Sequence, residues 1–175
     1  MPIATTNEVI ESAVIRAPLS HVWHFIKLAE FPTFYSQIKK AEHIVKGVSD
    51  ETDVYKWTFK DGSVVEIKQD EHSVGSPSLL QAPCVINSEP ELSYSSVVST
   101  IRCWPVTSGE FEDSTFVRWT SKFASDADIG VIEDAKYKRR DALKDLAAAA
   151  QKMVKQHENR SEYTTQSSTF VTASS

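Results

Sequence analysis

The sequence predicts an α+β fold: a curved antiparallel sheet wrapped around one long C-terminal helix, with two short helices after the first strand. Three observations lead there. A stretch of helical period runs from Asp126 to Lys155, with Ile132, Ala135, Leu143, Leu146, Ala150 and Met153 recurring on one stripe. Ahead of it lie six segments of strand character, joined by turns of hairpin length. Strands joined in this way pair antiparallel, and only the long helix is large enough to cover their apolar face.

Each element has its own reason. Residues 1–7 form an N-terminal extension, and Glu8 to Ile15 alternates as a first strand. Ala17-Pro18 ends it, at a position where proline suits a helix start. Ser20 to Leu28 is a short helix burying Val22, Trp23 and Ile26, and a second short piece follows over Phe31 to Ser36. Both are too short to stand alone in water and must lean on a larger body.

From residue 41 the period becomes two. Residues 41–47 and 53–59 are strands, the second setting Tyr55, Trp57 and Phe59 against Lys56, Thr58 and Lys60. Asp61-Gly62 is a hairpin signal leading into residues 64–73, where Val65 and Ile67 oppose Glu66 and Lys68. Gly75-Ser76-Pro77-Ser78 turns the chain, and Pro83 within Leu79 to Ile86 suits an edge strand or a loosely paired one.

Residues 92–104 and 115–124 complete the sheet. The first directs Val97, Ser99, Ile101 and Cys103 to one face, and the second directs Val117, Trp119, Ser121 and Phe123 inward. Thr107 to Glu110 turns between them. Ser125 and Asp128 form an S-x-x-D start signal for the long helix, which at 1.5 Å per residue spans about 45 Å. One domain therefore covers residues 8–155. Residues 156–175, polar and rich in Ser and Thr, are expected to be a disordered tail.

The totals narrow the function. A chain of 175 residues with 41% hydrophobic and 25% charged side chains is long enough for one real core. A net charge of -5 and a pI near 5.5 argue against nucleic acid and against an anionic membrane surface as partners. No apolar run reaches the roughly 20 residues that span a bilayer, so no stable membrane insertion is expected. No basic, apolar leader opens the chain, and a cytoplasmic location is the expectation, with Cys84 and Cys103 reduced. Without a secretory route, Asn159-Arg160-Ser161 carries little weight as a glycosylation acceptor.

The long helix is uneven, and that unevenness is informative. Leu143, Leu146 and Met153 anchor its second half, whereas small Ala135 and polar Lys136 and Arg139 occupy the first half, where a packed core would want bulk. A helix of this kind closes a cavity. The inward aromatics Tyr55, Trp57, Phe59, Trp119 and Phe123 either line that cavity or fill the core. Arg139 and Lys136 are the candidates for gripping a carboxylate or other oxyanion, against a solvated helix face as the plain alternative. Glu66 is available to pair with either, or faces water.

Other chemistry is sparse. His21 and His24 sit at i, i+3 without a third ligand nearby, and His43 and His72 are scattered, so no metal and no cofactor is predicted. Cys103 reads as a small buried hydrophobe rather than a nucleophile. Tyr94 and Tyr137 are candidate general acids, with no base placed beside either. There is no phosphate-cradling glycine loop and no G-x-S-x-G elbow, and no catalytic residue is assigned.

These residues also carry a resemblance. Ala17-Pro18 before Val22-Trp23 and Phe25, then Asp61-Gly62 with Val65-Glu66, are similar to the START/Bet v 1-like (SRPBCC) superfamily. So are Pro105-Val106-Thr107 before Thr115-Phe116-Val117-Arg118-Trp119, and Asp134-Ala135-Lys136-Tyr137-Lys138 leading into Ala142-Leu143 and Leu146. The match is nearest to the polyketide cyclase/dehydrase and lipid-transport-like branch, over residues 8–153. Pro77 to Glu91 and the tail depart from it. The resemblance implies a helix-grip fold with a hydrophobic cavity between sheet and long helix.

The expected function is binding of a small hydrophobic ligand, such as a lipid, sterol or polyketide, by a carrier or sensor. A cyclase- or dehydratase-like enzyme in the same cavity is the alternative. The expected ligand-binding residues are Tyr55, Trp57, Phe59, Val65, Ile67, Ile101, Trp119, Phe123, Ile132, Ala135 and Arg139. Oligomeric state is not legible here.

Overall fold

A computed structural model of the chain describes residues 6–45, 53–75 and 78–171, with 70–75 and 162–171 described by backbone alone. Strand β1 (Glu8–Ile15) is followed by helices α1 (Leu19–Ile26) and α2 (Phe31–Phe34). Six strands come next: β2 (Ile38–Val45), β3 (Val54–Phe59), β4 (Val64–Gly75), β5 (Ser78–Glu89), β6 (Val97–Pro105) and β7 (Thr115–Phe123). Helix α3 (Ile129–Val171) closes the order.

The strands form one antiparallel sheet in the order β1-β7-β6-β5-β4-β3-β2. Alternation decides the faces. In β6 and β7, Val97, Ser99, Ile101 and Cys103 and then Val117, Trp119, Ser121 and Phe123 are buried, while Arg102, Arg118 and Lys122 stay exposed. Gly62 holds φ +90 at the β3–β4 turn, and Ser63 donates its backbone N–H (2.8 Å) and hydroxyl (2.6 Å) to the Asp61 carboxylate.

Helix α3 approaches β1, α1 and α2 most closely and stands off the middle strands. Two apolar clusters result. One joins Ile15, Val22, Ile26, Phe31, Val117 and Leu146, and the other joins Val9, Val97, Phe123, Ala127, Ile132 and Ala135.

Several expectations are corrected. Of the two readings of Pro83 the edge fails, because β5 lies between β4 and β6, and the loosely paired strand stands. The sheet absorbs the missing N–H: pairing with β6 passes from Gln81↔Ile101 to Cys84↔Val98, and pairing with β4 shifts register between Gln69 and Glu71. Strand β6 starts at Val97 rather than at residue 92. The residues before it bond elsewhere, Ser95 donating its backbone N–H to Asp126 (2.9 Å) and Ser96 accepting from Ala124 N–H (3.0 Å).

The long helix begins at Ile129, and its cap is Asp128 rather than Ser125. The Asp128 carboxylate accepts from Val131 N–H at 2.9 Å. The helix continues to Val171. Polarity governs exposure more than helicity, and Gln156, Glu158 and Arg160 are good helix formers. His157 also meets His21 of α1 with ring centroids 5.1 Å apart. Strand β2 begins at Ile38, ahead of the predicted start. The predicted strand residues 46–47, the turn residues Ser76 and Pro77, and residues 1–5 and 172–175 lie outside the described residues.

Candidate functional site

The stripe of α3 divides into two stretches with different work. Ala142, Leu143, Leu146 and Ala150 are buried in the same cluster as Val22, Ile26 and Phe31. One to three turns earlier, Val131, Asp134, Ala135, Lys138 and Arg139 share that face at i, i+3, i+4, i+7 and i+8, and they border a cavity of about 470 Å3. The cavity lies where α3 stands off the middle strands, between the two apolar clusters. Its sheet wall comes from β3 (Trp57, Phe59), β4 (Val65, Ile67), β5 (Pro83, Val85), β6 (Val97, Ser99) and β7 (Trp119, Phe123).

Helix α2 supplies the aromatic end of the cavity. Phe31 stacks on Trp57 (centroids 4.6 Å apart) and meets Trp119 edge-on (5.9 Å), while Trp57 Nε1 donates to the Leu28 carbonyl at 3.0 Å. The mouth is charged, bordered by Lys60, Asp61, Glu89, Glu91, Asp134 and Lys138. The segment from Ser88 to Tyr94 forms one lip. It is fastened to the approach of α3 by Ser95, which donates its hydroxyl as well as its N–H to Asp126. A second, more open and polar hollow of about 420 Å3 borders the same segment, with Ile86, Asn87 and Asp126 in its lining.

One cation enters the apolar interior. Arg139 lays its guanidinium over the Trp119 ring, 5.0 Å from the centroid, and donates from Nε to Ser121 Oγ at 3.2 Å. Ser121 Oγ in turn lies 2.9 Å from Ser99 Oγ, and both serines are buried. The guanidinium is surrounded by protein, and the side chain keeps accessible surface because it faces the cavity. Burial draws Arg139 below the ordinary arginine value, and Tyr35, Tyr94 and Asp134 draw it partly back. It stays a cation at neutral pH. Burial likewise raises the Tyr35 and Tyr94 phenols above their ordinary 10.0, and Arg139 offsets part of the rise.

Known structures of the same architecture place this cavity in context. The chain is similar to ginseng major latex-like protein 151 from Panax ginseng: 16% identity, TM-score 0.61, covering 84% of this chain and 99% of that one. The fold is Bet v 1-like. The same helix-grip arrangement relates it to the protein XoxI from Bacillus cereus, at 16% identity and TM-score 0.68, over 85% of this chain and 98% of that one. It also matches the di-domain ARO/CYC StfQ from the steffimycin biosynthetic pathway, at 14% identity and TM-score 0.65, over 84% of this chain and 46% of that one. No protein-family model and no curated protein matches the chain. At these identities the likeness is one of fold alone.

Within the Bet v 1-like frame, Trp57, Phe59, Val65, Ile67, Trp119, Phe123, Ala135 and Arg139, of the residues expected to bind ligand, border the cavity. Three expected lining residues do not. Tyr55 stacks on His43 of the neighbouring edge strand, with centroids 4.7 Å apart. Ile101 is 1% exposed inside the first apolar cluster, and Ile132 packs within the second. Alternation for Tyr55 and Ile101, and helical period for Ile132, placed them on a plausible face, but position along an element decides whether that face meets another element or void.

Other candidates also move. Lys136 is not among the lining residues, Tyr137 is 61% exposed, and Glu66 accepts from Asn87 Nδ2 at 3.3 Å rather than meeting Arg139. Cys103 is fully buried, and burial pushes its thiol up to about 12. His24 packs edge-on against Phe25, and among the described residues no three His, Cys, Asp or Glu side chains converge as a metal site.

Sequence reasoning missed Phe31, Tyr35, Val85, Val131 and Ser99 as lining residues. The aromatic density of Phe31-Pro32-Thr33-Phe34-Tyr35 was the available signal for the first two. Tyr94, weighed only as an acid, borders the cavity beside Leu92 in the lip segment.

Proposed function

We propose that this chain binds a small, mostly apolar molecule in the cavity between sheet and α3, as a carrier or sensor. The observation that carries this reading is the cavity itself. It is about 470 Å3, walled by Trp57, Phe59, Ile67, Trp119 and Phe123, and it interrupts the core between two packed clusters. A pocket of this size with an apolar lining and few polar groups suits a small organic ligand. Inside it the ionisable groups are Arg139 and two phenols, Tyr35 and Tyr94, that burial keeps protonated. None of them is a base at neutral pH.

The test is native mass spectrometry of protein purified from its own source, paired with binding of the uncharged dye Nile red. A copurifying small molecule, and dye fluorescence that it quenches by displacement, are expected. Protein with no bound molecule and no dye binding would remove the reading.

A second reading draws on the likeness to the ARO/CYC protein StfQ, and on Tyr94 facing the same cavity as Arg139. In it the cavity is the site of a cyclase- or dehydratase-like enzyme, with Tyr94 as the acid. Turnover of a poly-β-carbonyl substrate that is lost in Tyr94→Phe would favour it over the carrier.

A further inference from the structure

The geometry points to a ligand that carries a single carboxylate at one end and enters head-first, its carboxylate meeting Arg139 and the Trp119 indole N–H. This inference rests on the cavity being a ligand site, and it names the chemistry of the occupant.

The first ground is an unmatched charge. Arg139 spends Nε on Ser121 Oγ, and among the described residues no carboxylate forms an ion pair with it. Asp134, the carboxylate on its own helix whose charge it feels, pairs with Lys138 at 2.7 Å. A guanidinium held in an apolar interior is costly without a counter-charge, and its two Nη groups form a planar fork that fits a carboxylate.

The second ground is independent of the first. Trp119, only 6% exposed, borders the cavity and has an indole Nε1 with no hydrogen-bond partner. Buried donors are rarely left unsatisfied. The guanidinium lies over this same ring. The Nε1 atom itself is covered by protein, so an oxyanion seated on the guanidinium reaches it only after a small shift of the ring.

Charge balance then selects the head. Among the described residues the interior holds one cation, since Lys60 and Lys138 are exposed at the mouth beside Asp61, Glu89, Glu91 and Asp134. A carboxylate brings one negative charge and neutralises the guanidinium. A phosphate monoester brings about 1.5 to 2 and would bury the excess. The acidic groups at the mouth disfavour an anion resting there, so the apolar body is left against Phe59, Val65 and Leu92, nearer the surface.

The test uses the full chain and three probes with one alkyl body: dodecanoic acid, dodecan-1-ol and dodecyl phosphate, each competed against Nile red at neutral pH. The acid is expected to bind about tenfold or more tighter than the alcohol, and tighter than the phosphate. Arg139→Gln should abolish the acid's advantage over the alcohol, the two being compared within the variant. Arg139→Lys, which keeps the charge, should restore part of it, and Trp119→Phe should reduce it with the cation intact. Equal binding of acid and alcohol, a phosphate that binds best, or an Arg139→Gln protein that keeps the preference would each overturn the carboxylate assignment while leaving the cavity reading standing. Failure of Nile red and all three probes to bind would overturn the cavity reading and this one with it.

Discussion

At the scale of single residues, the interior chemistry is set by burial. Cys103 shows this most simply. Its thiol is raised from 9.0 to about 12 by desolvation, so that contribution to stability is whole below pH 9 and is lost as pH climbs towards 12. The amount at stake is on the order of 4 kcal/mol. Chemical denaturation at pH 8 and pH 11 should show stability falling with pH, and Cys103→Ala should flatten the fall. An unchanged slope would mean that the thiol does not share in it. Tyr35 and Tyr94 are raised in the same direction from 10.0, so only the difference between the two proteins isolates the cysteine. Ala135 tests the void itself. It is 6% exposed and borders the cavity, so Ala135→Phe should fill space rather than displace a neighbour. Nile red affinity is expected to fall about tenfold or more with little change in Tm, since overpacking costs about 1–3 kcal/mol only where a core is already full. A large drop in Tm would show that the space was not open.

At the scale of elements, α3 acts as anchor in one stretch and cavity wall in another. Leu146 is 2% exposed within the packed cluster, and Leu146→Ala should cost about 3 kcal/mol. That corresponds to roughly 6–12 °C in Tm for a chain of this size, which calorimetry would read directly. The approach to α3 carries the latch of the lip. Asp126 accepts from both the backbone N–H and the hydroxyl of Ser95, and these hydrogen bonds hold its carboxyl below the ordinary 3.8. A lowered carboxyl contributes its stabilisation above the ordinary value and loses it as pH falls through the lowered one, so the latch is closed at neutral pH. Asp126→Ala should therefore speed amide exchange at Ser95 and its neighbours, with the exchange of β7 unchanged. Uniform exchange in both proteins would deny the latch a role.

At the scale of the whole molecule, the end of α3 tests what the fold requires. Among the described side chains beyond Val154, residues 155–161 are all exposed, and His157 against His21 is the ring contact that ties them to α1. A chain ended after Lys155 should keep Nile red binding and a Tm within a few degrees of the full chain. Its far-UV signal should fall by the helix removed. A truncated protein that no longer folds would show that the distal turns hold the grip closed. No helix of the described residues is long and apolar enough to cross a membrane.

Periodicity carried most of the architecture. The alternation of Val117, Trp119, Ser121 and Phe123, the Asp61-Gly62 turn and the stripe from Ala135 to Ala150 are local patterns, and local sterics and burial act on them directly. The small and charged residues in the first half of that stripe even indicated that the helix would face a void. Three things depended on residues distant in sequence. Pro83 became an inner-strand residue because β6 returns beside β5, and Tyr55 met His43 because β2 is its neighbour. Among the described residues Arg139 forms no ion pair, Asp134 meeting Lys138 and Glu66 meeting Asn87 instead. Which face is apolar is written in the chain order of side chains; which part of that face meets another element, and which meets empty space, is set only when the strands and α3 come together, because distance between non-neighbours has no local cause.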